Sequence, residues 1–179
     1  MSEQLPQGDV HFLHFRIRRR IALTAFLVFV IDDVSKYLAF HFLGDNPKHL
    51  VGSLLQLHLL LNSGAAFSLG RNMGPLYGLA AVAICLCIIF YGNKIHRLKL
   101  SVPLGFILGG ALGNLADRIF HSPAGITSTS FPGGGFFHGA VIDWIELPHW
   151  PVFNAADSFL TIGIGWLILV VIYPNVFDK

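Results

Sequence analysis

Apolar residues gather in four runs, 21–43, 74–91, 100–120 and 154–174, and these runs limit what the chain can fold into. A helix that crosses a bilayer needs about 20 apolar residues. In hydrocarbon the backbone must also satisfy its own hydrogen bonds, which leaves helices or closed barrels. Runs this long and continuous suit helices. The composition agrees, because 54% of the 179 residues are hydrophobic and only 12% charged, unlike a soluble globule. That length gives room for one domain. The expected fold is a mainly α membrane protein: a single domain (1–179) of four transmembrane helices with a small extracytoplasmic β/loop element.

The formal charge of +2 gives no reason to expect a nucleic-acid partner; its distribution is more informative. Arg16, Arg18, Arg19 and Arg20 precede the first run, and Lys94, Arg97 and Lys99 fill the short segment 92–99. The segment 44–73 holds only Lys48 and Arg71, and 121–153 holds no Lys or Arg. Positive residues stay in the cytoplasm. This predicts that tails 1–20 and 175–179 and loop 92–99 are cytoplasmic, while 44–73 and 121–153 face outward. Residues 1–15 read as a polar, irregular tail. The Arg cluster and apolar run resemble a secretory signal peptide. However, the run continues through Asp32, Asp33 and Lys36 without a small-residue cleavage site, so it reads as a retained helix. Cys85 and Cys87 sit on different faces of the second run, where a disulfide is geometrically poor and core packing is the expected role.

In the first outer segment, 54–61 partly alternates between Gly52 and Asn62-Ser63-Gly64, which fits a short strand or two on the membrane surface. The third loop carries Thr127-Ser128-Thr129-Ser130 and Gly133-Gly134-Gly135, a flexible stretch of the kind that closes over active sites. Trp144 and Trp150 mark the outer interface near its end.

The polar residues inside or beside the runs are candidates for chemistry. An ionised group in hydrocarbon costs roughly 2.5 kcal/mol or more. Asp143 and Asp157 lie where the third loop meets the fourth run. Brought together, two carboxyls cannot both ionise easily and come to share a proton. The ionised member then takes a proton from water while the other polarises a carbonyl. A plainer account of Asp157 is stabilisation of a helix start capped by Asn154. Asp32 and Lys36, at i,i+4, suit an ion pair that either locks the bundle or serves a site. Asp33 points elsewhere, toward water or an interface. Gly105, Gly109 and Gly113 let another helix approach closely. The adjacent stripe of Gly110, Asn114 and Arg118 either lines a polar cavity or ties helices together. Asn62 and Gly64 open a segment that is either a simple turn or a close backbone approach to a site.

Together these blocks resemble the lipoprotein signal peptidases, the type II signal peptidases of bacteria. The matching residues are Asp32-x-x-Ser35-Lys36, Asn62-x-Gly64-Ala65-Ala66-Phe67-Ser68, Gly109-Gly110-Ala111-x-Gly113-Asn114-Leu115-x-Asp117-Arg118, Val141-Ile142-Asp143-Trp144-Ile145 and Phe153-Asn154-x-Ala156-Asp157. They follow the family's order over most of the chain. The resemblance implies an integral aspartic endopeptidase of the bacterial cytoplasmic membrane. It would remove the signal peptide from diacylglyceryl-modified prolipoproteins by cutting just before the lipidated cysteine. By motif position, Asp143 and Asp157 correspond to the catalytic dyad, and Asn62, Asn114, Arg118 and Asn154 to residues lining the substrate cavity. Asp32, Lys36, Asp117 and Gly64 take supporting roles. The resemblance further implies a monomer working among membrane lipids without metal or organic cofactor, its active site on the extracytoplasmic side. Two features depart from the family pattern: the long third loop, and the compact stretch between the two aspartates.

Two other classes compete. A small transporter or proton channel also uses intramembrane carboxylates, but spreads them through the bilayer. A structural membrane protein would use its polar residues only to join helices, and would tolerate Asp143→Asn. Other intramembrane proteases fit poorly, since no His-Glu-x-x-His or Gly-x-Ser-x-Gly pattern occurs.

Overall fold

The structure is a computed structural model, and it describes residues 7–43, 46–64, 73–92, 95, 97–121, 137 and 139–173. Four helices, α1 (Gln7–Phe42), α2 (Gly74–Tyr91), α3 (Ser101–Phe120) and α4 (Ala155–Ile172), carry a small sheet of β1 (Lys48–Val51), β2 (Leu55–Asn62) and β3 (Val141–Glu146). By length and composition, three helical stretches can cross a membrane: Gly74–Tyr91, Leu98–Phe120 and Ala155–Ile172. Helix α1 carries Asp32, Asp33 and Lys36 within its apolar stretch, which sets it apart from these three.

Helix α1 buries one stripe: Ile17, Ile21, Ala25, Val28, Asp32, Lys36, Ala39, with Leu43 just beyond the helix end. The spacing of three and four keeps these residues on one face. Two ionised side chains therefore occupy positions in a row that is otherwise apolar. The remaining faces expose Phe26, Leu27, Ile31, Val34 and Leu38, as a helix in contact with lipid does. Residues 7–15 are helical and not an irregular tail. The buried stripe explains the difference: Leu13 packs on the core beside Ile17, and the helix continues through the arginines because its inward face still finds partners.

Helix α3 is the hub, packing against α1, α2 and α4. Its glycines explain how. A Cβ on Gly109 would stand 2.6 Å from the Ala25 carbonyl oxygen of α1, and one on Gly110 would stand 2.6 Å from the Ala156 carbonyl oxygen of α4. Close approach on two faces thus requires glycine at adjacent positions. Cys85 joins the core between the helices, whereas Cys87, two residues on, faces outward and has no part in core packing.

The sheet is antiparallel in the order β1-β2-β3. Strand β2 falls on the alternating stretch 54–61, whereas β1 lies before Gly52, outside the stretch expected to form strands. Strand β3 was not expected. It forms because β2 offers an edge, pairing Leu60 with Asp143, Leu61 with Ile142 and Asn62 with Val141. The flexible stretch foreseen in the third loop, and the Ala65–Ser68 part of the second motif, lie outside the described residues.

Candidate active site

Strand β3 arrives over the C-terminal end of α3. The Gly139 N–H donates to the Arg118 carbonyl at 3.1 Å, and a side chain at Gly139 would collide with the carbonyls of Asp117, Arg118 and His121. Glycine is therefore what lets the chain sit on those helix-end carbonyls. Two residues on, Val141, Ile142 and Asp143 are all buried, with Asp143 only 1% exposed. Asn62 faces Val141 across the sheet and reaches diagonally to Asp143, donating from Nδ2 to Oδ2 at 2.9 Å.

After β3 the chain turns back at once. The Trp150 N–H donates to the Leu147 carbonyl at 3.1 Å, and Ile145 and Phe153 exchange hydrogen bonds of 2.8 and 3.0 Å. Pro148 and Pro151 suit such a tight return. It delivers Asn154 to the start of α4, where the residue caps the helix. Its Oδ1 accepts from the Asp157 N–H at 2.9 Å, and Asp157 Oδ2 accepts in return from the Asn154 N–H at 3.3 Å. This reciprocal capping box puts the Asp157 carboxyl at the positive end of the α4 dipole.

Asn154 also joins the two carboxyls. Its Nδ2 donates to Asp143 Oδ1 at 2.7 Å and to Asn114 Oδ1 at 3.0 Å. Asn114 in turn donates from Nδ2 to Asp157 Oδ1 at 2.7 Å. Asp143 and Asp157 are thus held by one connected set of asparagine amides drawn from β2, α3 and the start of α4. Burial is the main force pushing the Asp143 carboxyl up to about 7, and the negative charge of Asp157 adds to it. The donors Asn62 and Asn154 and the charge of Lys36 pull the other way and are outweighed.

The carboxyls open onto a cavity of about 400 Å³. One end of it is polar, with Asn62, Asn114, Arg118, Asp143 and Asp157. The rest is apolar: Ala80, Ala81 and Ile84 from α2, Ala111 from α3, Leu160 from α4, and Trp150 to Phe153 from the return. Arg118 donates to the Asn114 carbonyl and to the Gly64 carbonyl, both at 3.3 Å, and stands 5.9 Å from the centre of the Tyr77 ring. Its Nε is buried and has no hydrogen-bond partner among the described residues. The guanidinium as a whole borders the cavity, where its remaining N–H groups suit a carbonyl or an anionic oxygen. No group of three or more His, Cys, Asp or Glu side chains among the described residues is disposed to hold a metal ion.

Comparison with known proteins identifies a family for the chain. The profile of the family described as signal peptidase (SPase) II matches residues 24–173. The chain belongs to the signal peptidase II family. As a signal peptidase II it is a membrane aspartic peptidase. It is 36% identical over 159 residues to the lipoprotein signal peptidase of Streptomyces coelicolor, covering 87% of this chain and 72% of that one. With the lipoprotein signal peptidase of Rhodococcus jostii the identity is 35% over 168 residues, covering 92% and 76%. A solved bacterial membrane enzyme superposes with a TM-score of 0.70 at 25% identity, over 89% of this chain and 91% of that one.

In this signal peptidase II the residues singled out by sequence fall into two groups. Asn62, Asn114, Arg118, Asp143 and Asp157 line the cavity together with Gly64, and Asn154 stands directly behind it. Asp32, Lys36 and Asp117 form a separate buried cluster below. Asp33 is exposed, as its helix position implied. Sequence reasoning missed Tyr77, the Trp150–Phe153 wall and His121. Nδ1 of His121 lies 3.2 Å from Asp117 Oδ1. The i,i+4 spacing of Asp117 and His121 was a legible signal for that pair. Nothing in the sequence pointed to Tyr77.

Proposed function

We propose that Asp143 and Asp157 are the reacting pair, and that the protein removes signal peptides from diacylglyceryl-modified prolipoproteins by cutting just before the lipidated cysteine. The observation that carries this reading is the pair of carboxyls held by shared asparagine amides at the polar end of a cavity otherwise lined by apolar side chains. An extended peptide attached to acyl chains and an apolar helix needs such a space. Asp143, pushed up to about 7, carries the shared proton, and ionised Asp157 takes a proton from water. The resulting hydroxide adds to the scissile carbonyl carbon as Asp143 protonates the carbonyl oxygen. Collapse of the tetrahedral intermediate breaks the C–N bond as one of its two hydroxyls returns a proton to Asp143, and the proton held by Asp157 passes to the departing amine, which restores both carboxyls to their starting states. The Arg118 guanidinium and the Asn62 amide, which both line the cavity, are suited to hold substrate carbonyls.

In this reading α1 is a fourth membrane crossing, both termini and loop 92–99 are cytoplasmic, and the sheet and aspartates face outward across the bacterial cytoplasmic membrane. The charge distribution Arg16–Arg20, Arg97 and Lys99 supports that orientation. The protein works as a monomer.

The test is cleavage of a diacylglyceryl-modified prolipoprotein by the purified protein in lipid. Asp143→Asn and Asp157→Asn are each expected to lower kcat by about 10²-fold or more while leaving the fold intact. Undiminished cleavage by either variant would remove it from the pair.

A further inference from the structure

Lys36 is buried beneath the two aspartates and belongs to a cluster apart from the cavity. Its ammonium lies 2.6 Å from Asp32 Oδ2 and 2.7 Å from Asp117 Oδ2, with all three side chains at most 5% exposed. Each of these carboxylates also accepts a backbone N–H from another element. Asp32 Oδ1 takes the Ala156 N–H at 2.8 Å, and Asp117 Oδ2 takes the Ile142 N–H at 3.2 Å. Ala156 is the residue before Asp157, and Ile142 is the residue before Asp143. Lys36 itself donates to Asn114 Oδ1 at 3.2 Å, and Asn114 donates to Asp157.

Stability is a weak account of such a cluster. Buried ion pairs often contribute no more than apolar residues of the same shape, because desolvation offsets their attraction. An apolar side chain, however, cannot accept an N–H at a fixed point. The Ala156 N–H lies in the first turn of α4, where no acceptor within the helix is available. Asp32 supplies one from a different helix, and Gly113 leaves the space its carboxylate occupies.

We propose that Asp32, Lys36 and Asp117 form a positioning clamp that sets the spacing of the two reacting carboxyls by holding the backbone immediately before each. The clamp rests on the assignment of Asp143 and Asp157 as the reacting pair. Lys36 ties its two arms together, so that β3 from one side and α4 from the other are referred to a single ammonium on α1. None of the three clamp side chains lines the cavity. Their loss is therefore expected to act on kcat and to leave KM nearly unchanged. Near-attack geometry is sensitive enough that a displacement of about 1 Å costs on the order of 10²-fold in rate.

A second readout separates positioning from bulk stability. The charged groups that act on Asp143 are Asp157 from α4, Lys36 from α1 and Arg118 from α3. Lys36 favours the ionised form of Asp143, so Lys36→Met lets that carboxyl keep its proton to higher pH. The alkaline limb of kcat should then move upward. A variant that merely unfolds more easily loses active enzyme without moving the limb in that direction.

The experiment compares parent, Lys36→Met, Asp117→Asn, Asp117→Ala and Asp143→Asn in lipid with a diacylglyceryl-modified prolipoprotein, measuring kcat, KM, pH profile and folded fraction. An asparagine at 117 still accepts the Ile142 N–H, whereas an alanine cannot. Per folded molecule, Asp117→Ala should lose about 10²-fold in kcat, with Asp117→Asn recovering much of it. Equal kcat in those two variants, or folded Lys36→Met with the parent's rate and limb, overturns the clamp. If Lys36→Met does not fold, the comparison at position 117 decides. Cleavage surviving in Asp143→Asn would instead remove the reacting pair itself.

Discussion

The Asn154 side chain donates to Asp143 at 2.7 Å while its carbonyl oxygen accepts from the backbone of Asp157 at 2.9 Å, so one residue joins both carboxyl-bearing segments. Asn154→Ala should lose the helix cap, about 1 kcal/mol, and leave Asp143 short of a donor. Asn154→Asp should keep the cap but set a third carboxyl beside the other two. Melting curves and kcat together separate the effects: alanine lowers both, whereas aspartate lowers kcat far more than the cap loss explains. An Asn154→Asp variant with the parent's melting temperature and kcat would reduce Asn154 to a cap.

Asp143 titrates near 7 against an ordinary value of 3.8, so the folded protein holds its proton more tightly than the unfolded chain. The stability this confers is fully present below about pH 3.8 and is lost as pH rises through about 7. The full span amounts to about 4 kcal/mol. Asp143→Asn removes that dependence, so its melting temperature relative to the parent should rise between pH 5 and pH 8. In the parent, kcat should fall above about pH 7 as the pair loses its shared proton. A flat profile from pH 6 to 9 would contradict the assignment of the proton to Asp143.

Gly113 and Gly165 make a matched pair. A methyl group at Gly113 runs into the Asp32 carboxylate, while one at Gly165 meets nothing within 4 Å. Gly113→Ala should destabilise by about 1–3 kcal/mol through overpacking and lower activity as Asp32 moves. Gly165→Ala, in an open helical position, should be neutral or stabilising by up to about 1 kcal/mol. Thermal denaturation in lipid reads both.

The buried stripe of α1 extends below the apolar run. Ile17 is 0% exposed, whereas Arg18 on the next position is exposed. Ile17→Ala should cost about 2–5 kcal/mol, and Arg18→Gln should change stability little. Equal melting temperatures for the two would mean that the first turns of α1 contribute nothing to the packed bundle.

The sequence revealed the apolar helices well because their lipid-facing surfaces make them apolar all round; α2 begins and ends with its run, at Gly74 and Tyr91. It concealed the start of α1 because four arginines crowd the buried positions Ile17 and Ile21 there, and hydropathy registers the charges before the period. Strand β3 was hidden for another reason. Its pairing partner lies about 80 residues upstream in β2, and an aspartate in its middle argues locally against a strand. The cavity residues were visible as motifs, yet their wiring was not. That Lys36 touches Asp117 as well as Asp32 depends on the crossing of α1 and α3, which only the glycine repeat hinted at.

The glycines of α3 have a consequence for how this helix can change. Gly109 faces α1, Gly110 faces α4, and Asn114 with Arg118 faces the cavity. Consecutive residues in a helix differ by about 100°. Adding or deleting one residue between Gly105 and Asn114 would therefore rotate every later contact onto the wrong neighbour, presenting side chains where only hydrogen fits. Substitutions can be absorbed one at a time, but the length of this segment cannot vary, which makes α3 the ruler against which the rest of the molecule is assembled.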